Sequence, residues 1–247
     1  MANIITNIGM IEFIQSNKIV IYAVLSGLIP ALFWLWFWLK EEDDDEQEPL
    51  GLIIISFILG GLLVFVAIWL EKYSLNFINN DTTRIIIWSV IEEVVKFIGV
   101  IVIIFKNENV DQPIDYPMYF IAVALGFAAM ENILYLINPF TVDGAIVGVM
   151  TGNLRFLGST LLHAISSAMI GSAMGLSFYL KKYKDIYLFG GIICAVLLHS
   201  IFNFFIMKGS GENFLSVFSF LWVVTIINIL IFEKLKRMSA ARPALNH

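Results

Sequence analysis

The chain has 247 residues, 20 acidic against 15 basic, for a formal net charge of −5; 59% of it is hydrophobic and the mean hydropathy is +0.86. A soluble domain has no use for that much apolar surface, and the lack of a basic stripe argues against a nucleic-acid partner. The single cysteine, Cys194, excludes an internal disulfide and a cysteine-only zinc site.

Seven apolar runs reach or approach the roughly 18–20 residues that a helix needs to cross hydrocarbon: 19–39, 51–70, 85–105, 117–137, 156–180, 186–207 and 214–232. Backbone polar groups in lipid must be satisfied within their own segment, so these runs are helices, and no barrel-type alternation is present. The expectation is one all-α polytopic membrane domain over 1–247. It has about seven transmembrane helices in the lipid bilayer, and helices three to six form a four-helix core at about 85–207.

Taken in order, residues 1–16 carry Ile4, Ile8 and Ile11 at helical spacing; an interfacial helix is compatible, and a frayed end is expected. The first run, which holds Pro30, has no cationic region before it and no cleavage site after it, so it reads as a retained helix. An acidic loop at 40–50 contains EEDDDEQE (41–48) and reads as solvated, without the glycine and spacing of a calcium-binding EF-hand. The third run, WSVIEEVVKFIGVIVIIF, carries Glu92, Glu93 and Lys96, and the fourth, GFAAMENILY, carries Glu131 and Asn132. The stretch 138–155 has an apolar centre, AIVGVM, too short to span; it reads as a plain surface loop or as a dip into the outer leaflet that gates substrate entry. The fifth run, LLHAISSAMIG, carries His163. Its rows of small residues (Ser167, Gly171, Gly175 and Ala164, Ala168, Ser172) permit close backbone approach in lipid, which makes this helix central. The sixth, LLHSIFNFF, carries His199 and Asn203, with Cys194 as a small apolar filler; a basic tail occupies 233–247.

Loop cations set orientation. Lys40, Lys106, Lys181, Lys182, Lys184, Lys234, Lys236 and Arg237 share one side, against Lys18, Lys72, Arg84, Arg155 and Lys208 on the other. Eight against five places the C-terminus in the cytoplasm and the N-terminus outside.

An ionisable residue in a membrane costs several kcal/mol and faces a bundle interior or a wet cavity. With the helices folded antiparallel, Glu92 and Glu93, Glu131, His163 and His199 all fall within about 3–6 Å of the midplane, on its outer side, at ~1.5 Å rise per residue. Shared depth points to one shared site. Glu92 and Lys96 are i,i+4, which makes Glu92 the better ion-pair partner of Lys96. Each feature alone has a bland counterpart: a packing ion pair, a histidine bonded between helices, or an asparagine gluing two helices together.

These four segments, in this order, resemble the PrsW family of intramembrane proteases, which shares a clan with the CAAX-processing and bacteriocin-processing proteases and with the APH-1 scaffold. Glu92, Glu93 and Lys96 match its first motif, FAAMEN with Glu131 and Asn132 its second, His163 its third, and His199 with Asn203 its fourth. The resemblance covers about 88–205. It implies an intramembrane endopeptidase in a prokaryotic plasma membrane, cleaving a single-pass membrane-anchored protein near the extracytoplasmic face, with site-1-type cleavage of an anti-sigma factor as the family role. In that scheme Glu93, or Glu92, is the general base on water. Lys96 holds the other glutamate charged, and His163 holds the water or protonates the leaving group. His199 and Asn203 bond the oxyanion, and Glu131 orients a histidine or shares the proton. Two histidines and a carboxylate also suit catalytic Zn2+, at His163 and His199 with a glutamate. HExxH is absent and the metal-free glutamic mechanism is the expectation. The alternatives are a non-catalytic scaffold of the APH-1 type, which has no need for the glutamate pair, and an ion- or proton-coupled transporter, which would show inverted repeats and broken helices.

Overall fold

Long helices form as the apolar runs require. The computed structural model describes residues 2–41, 48–105, 107–142, 146, 150, 151, 153, 155–208 and 214–240. Among them are α1 (Ala2–Leu39), α2 (Leu50–Ser74), α3 (Asp81–Ile104), α4 (Asp115–Val142), α5 (Leu161–Leu176), α6 (Lys184–Lys208) and α7 (Phe214–Ala240). A π-helical turn, Phe156–Thr160, leads into α5, and a 3-10 turn, Lys181–Tyr183, into α6. Six spans are long and apolar enough to cross a membrane; those at α5 and α6, Leu157–Leu176 and Lys181–Ile206, begin in the turns that lead into these helices. The other helix, α3, is 24 residues long, but Glu92, Glu93 and Lys96 fall within every 18-residue stretch of it. The chain is thus the expected all-α polytopic membrane protein.

Local chemistry explains where α3 starts. Asn80 Oδ1 accepts the Thr82 and Thr83 backbone N–H groups at 2.9 and 3.2 Å, and Asp81 sits in the first turn, where a negative charge suits the helix dipole. On α2, Ile54, Ile58, Leu62, Phe65 and Trp69 are exposed at helical spacing, the stripe a lipid-facing helix presents.

The centre of the bundle is made by α4, packed on α1, α2 and α5, and by α5, packed on α4, α6 and α7. Met118 to Leu125 of α4 are fully buried. Backbones touch where glycine allows it: a Cβ on Gly60 would lie 1.9 Å from the Val123 carbonyl oxygen, and one on Gly126 would lie 1.8 Å from that of Phe57. The small residues of α5 act as the sequence indicates, with Gly171 against Pro117 and Gly175 against the Pro113 carbonyl.

Several local expectations are corrected. α1 is helical from Ala2, so residues 2–16 are not a frayed end; one helix continues without a break into the first span. Residues 42–47 lie outside the described residues, but Glu48 at the end of the acidic run is buried and accepts a hydrogen bond from the Tyr119 hydroxyl, rather than standing in solvent. Cys194 is exposed on α6, not a filler between helices. In 138–155, α4 continues to Val142, while most of AIVGVM lies outside the described residues.

Candidate active site

Glu92 and Glu93 are neighbours on α3 and so project about 100° apart. That angle gives them different fates. Glu93 is fully buried and turned to α5 and α6. Its Oε1 accepts from Lys96 Nζ at 2.6 Å, His199 Nδ1 at 2.7 Å and Ser166 Oγ at 2.9 Å, and its Oε2 from Ser167 Oγ at 3.2 Å. Glu92 keeps 12% of its side chain exposed. Its Oε2 lies 3.8 Å from His163 Nδ1 and 3.6 Å from His199 Nε2, and is buried without a hydrogen-bond partner among the described residues.

The expected pairing is therefore reversed: the buried ion pair is Glu93–Lys96, not Glu92–Lys96. Positions i+3 and i+4 lie on nearly the same face of a helix, so spacing along α3 leaves the choice open. The two hydroxyls of α5 and the ring of His199 settle it, because they converge on Glu93. Lys96 Nζ lies also 3.1 Å from His163 Nδ1 and over the Phe127 ring.

His163 and His199 stand edge to face, with ring centroids 5.0 Å apart. Each has one nitrogen bonded to a carboxylate: His163 Nε2 to Glu131 Oε2 at 2.7 Å, and His199 Nδ1 to Glu93. An ionised carboxylate only accepts, so these nitrogens carry the protons and the other two, His163 Nδ1 and His199 Nε2, present lone pairs towards Glu92. Glu131 is itself held by Arg155 Nη2 at 2.8 Å. Arg155 also donates to the Asn132 side-chain oxygen Oδ1 and to Ser159 Oγ, and stacks 4.1 Å from the Tyr135 ring centroid. Asn132 Nδ2 donates to Thr160 Oγ1 at 2.9 Å. Asn132 thus hydrogen-bonds neither histidine; it ties the π-helical turn to α4. Asn203 lies one turn beyond His199 and lines the same cavity, of about 530 Å³, as Glu71, Glu92, Glu131, Arg155 and both histidines.

Several of these residues were not singled out from sequence. Ser166 and Ser167 belong to a run whose composition signals only close packing. Arg155 counts as a loop cation, and Glu71 falls just beyond the second apolar run. Their one sequence signal is polarity beside a motif: the two serines follow His163 by three and four residues.

The donor set suits a divalent metal. Glu92, His163 and His199 each offer one ligand atom, all within 4.8 Å of one another. Two ligand atoms at 2.0–2.1 Å from one tetrahedral zinc are about 3.3 Å apart, so the distances of 3.6 and 3.8 Å to Glu92 need shifts of a few tenths of an ångström. Both histidines already give their second nitrogen to a carboxylate, the usual outer arrangement of a metal-bound imidazole. One contact opposes it: Lys96 Nζ points at the His163 Nδ1 lone pair that a metal would use.

Comparison with known proteins bears on the same residues. The family described as PrsW family intramembrane metalloprotease matches residues 48–230, which include all the motifs above. The chain is 31% identical to Protease PrsW of Oceanobacillus iheyensis over 211 residues, 83% of this chain and 93% of the relative. It is 29% identical to Protease PrsW of Geobacillus kaustophilus, over 74% of this chain and 78% of the relative, and 28% identical to that of Bacillus subtilis, over 81% and 91%. No solved structure matches the chain. With the match extending from the end of the acidic run into α7, and relatives aligned over most of both chains, the protein belongs to the PrsW family of intramembrane proteases.

Proposed function

We propose that the chain is an intramembrane endopeptidase whose hydrolytic centre is Glu92, His163 and His199, and that these three hold a divalent metal. The observation that carries this reading is the Glu92 carboxylate oxygen, buried between two imidazole lone pairs with no hydrogen-bond partner among the described residues. Three acceptors that converge in this way call for a cation. This departs from the metal-free expectation.

A metal at this position would lower the pKa of a bound water and polarise the scissile carbonyl. The chain's own residues do the rest. Glu93 fixes the His199 tautomer, and Lys96, Ser166 and Ser167 fix Glu93. Glu131, clamped by Arg155, fixes the His163 tautomer. Asn203 offers an amide donor to the developing oxyanion from the cavity wall.

A second reading has a specific contact in its favour. Lys96, 3.1 Å from His163 Nδ1, can supply the positive charge itself and leave Glu92 as general base on water. Chelation separates the two. Purified protein stripped by a strong chelator and assayed on a cleaved reporter should lose activity, and zinc should restore it. Full activity after stripping would refute the metal reading and support Glu92 as base.

The substrate we propose is a single-pass membrane-anchored protein, cut near the extracytoplasmic face, with an anti-sigma factor as the family precedent. Support comes from the position of the polar residues along the helices and from the loop-cation bias, which favours an external N-terminus and a cytoplasmic C-terminus. Cysteine labelling at Lys182 in intact cells checks the orientation, and labelling from outside would overturn it. Co-expression with tagged single-pass membrane proteins should give shortened products.

A further inference from the structure

We infer that Glu71 is a specificity residue which receives a cationic side chain, lysine or arginine, from the substrate segment beside the scissile bond. The inference rests on the reading of the cavity as the substrate site.

It follows from an inventory of the charges around that cavity. Glu93 is matched by Lys96 and Glu131 by Arg155. Glu92 belongs to the acceptor set of the hydrolytic centre. Glu71, from the last turns of α2, lines the same cavity half-buried, and its carboxylate makes no hydrogen bond or ion pair among the described residues. The nearby cations have other places: Arg84 pairs with Asp81, Arg155 with Glu131, and Lys72, one residue on and therefore about 100° round the helix, is exposed. One carboxylate thus faces the space a peptide would fill, with no cation among the described residues paired to it. A half-buried carboxylate attracts an opposite charge more strongly than one on an open surface does.

The surroundings fit a long cationic side chain better than a bare ion. Val64, Ala67 and Ile68, the turns of α2 before Glu71, form an apolar wall of the cavity. Lysine and arginine lay their methylene stems along such a wall and put only the charged tip against a carboxylate. Trp88 of α3 closes the side, its indole N–H held by Ser74 Oγ at 3.2 Å. Glu71 is on α2, whereas the three residues of the hydrolytic centre are on α3, α5 and α6. It can therefore select a residue flanking the cut without taking part in the cut itself.

The test uses the full chain in membranes and a tagged single-pass reporter that it cleaves, with the cut located by mass spectrometry. Each residue within four of the cut is replaced in turn by Lys, Gln and Glu, and initial rates are compared. At one position the wild type should cleave the Lys reporter about 10- to 100-fold faster than the Gln reporter, the range of a charge-assisted hydrogen bond. Glu71→Gln should bring that ratio to about one, and Glu71→Lys should favour the Glu reporter at the same position. A wild type indifferent to charge at every position, or a Glu71→Gln variant that keeps the Lys preference, would overturn the inference. So would a folded Glu71→Gln that cleaves nothing, because a residue that only recognises a side chain is not needed for the chemistry. If the wild type cleaves no reporter at all, the endopeptidase reading falls, and the inference with it. That outcome is distinct from cleavage without charge preference.

Discussion

Lys96→Met should destabilise the protein by about 3 kcal/mol, the lower end of the 3–5 kcal/mol that follows when one partner of a buried ion pair is removed. Lys96 and Glu93 are both fully buried and their charged atoms are 2.6 Å apart, so the substitution leaves a buried carboxylate without its ion-pair partner. Methionine keeps nearly the volume of the lysine stem, which keeps any cavity contribution small. The lower end applies because Ser166, Ser167 and His199 still donate to Glu93. The double variant Glu93→Gln with Lys96→Met removes both charges together. It should be more stable than the sum of the single effects by about 2–3 kcal/mol. Denaturation in mixed micelles, followed by the fluorescence of the six tryptophans, measures this. The parallel double variant of Glu92→Gln with Lys96→Met is the discriminating control and should show little coupling. If Lys96 instead couples to Glu92 and not to Glu93, the Glu93–Lys96 pairing is wrong and the i,i+4 expectation stands.

Glu92→Gln should abolish cleavage and, in protein stripped by a chelator, leave the unfolding midpoint nearly unchanged, because among the described residues its buried oxygen has no hydrogen bond to lose; Glu93→Gln should lower stability as well as activity, as a midpoint measurement beside the cleavage assay will show. Arg155→Met should cut turnover about 10- to 100-fold, as the loss of groups that orient metal-bound histidines does, and Arg155→Lys should recover part of it through the remaining contact with Glu131. Gly126→Ala should cost about 1–3 kcal/mol by forcing α2 and α4 apart, whereas Gly190→Ala, with open space at its Cβ, should be neutral in the same thermal unfolding experiment.

The long apolar runs are enough to make this chain a bundle of membrane-spanning helices, because lipid leaves such a run no other way to satisfy its backbone. The sequence also marks the residues of the candidate site. Charged and imidazole side chains are too costly in hydrocarbon to be scattered without cause, and His163, His199, Glu92, Glu93 and Glu131 do meet across four helices. The small residues on α5 likewise foretell a central helix, since only side chains of that size let backbones touch. What each polar group does was decided elsewhere. Lys96 reaches either glutamate equally well along α3, and the choice belongs to Ser166, Ser167 and His199, which are 70 and more residues away in the chain. Arg155 looks like a loop cation until the π-helical turn sets its guanidinium on Glu131, and Glu71 looks like the polar end of a span until the other helices enclose it in a cavity. Glu48 is one acid of an acidic run until α4 buries it on Tyr119. Helix formation depends on neighbours within one turn, so a local reading finds it. The partner of a buried charge is the nearest opposite group in space, and that is known only once the helices are packed.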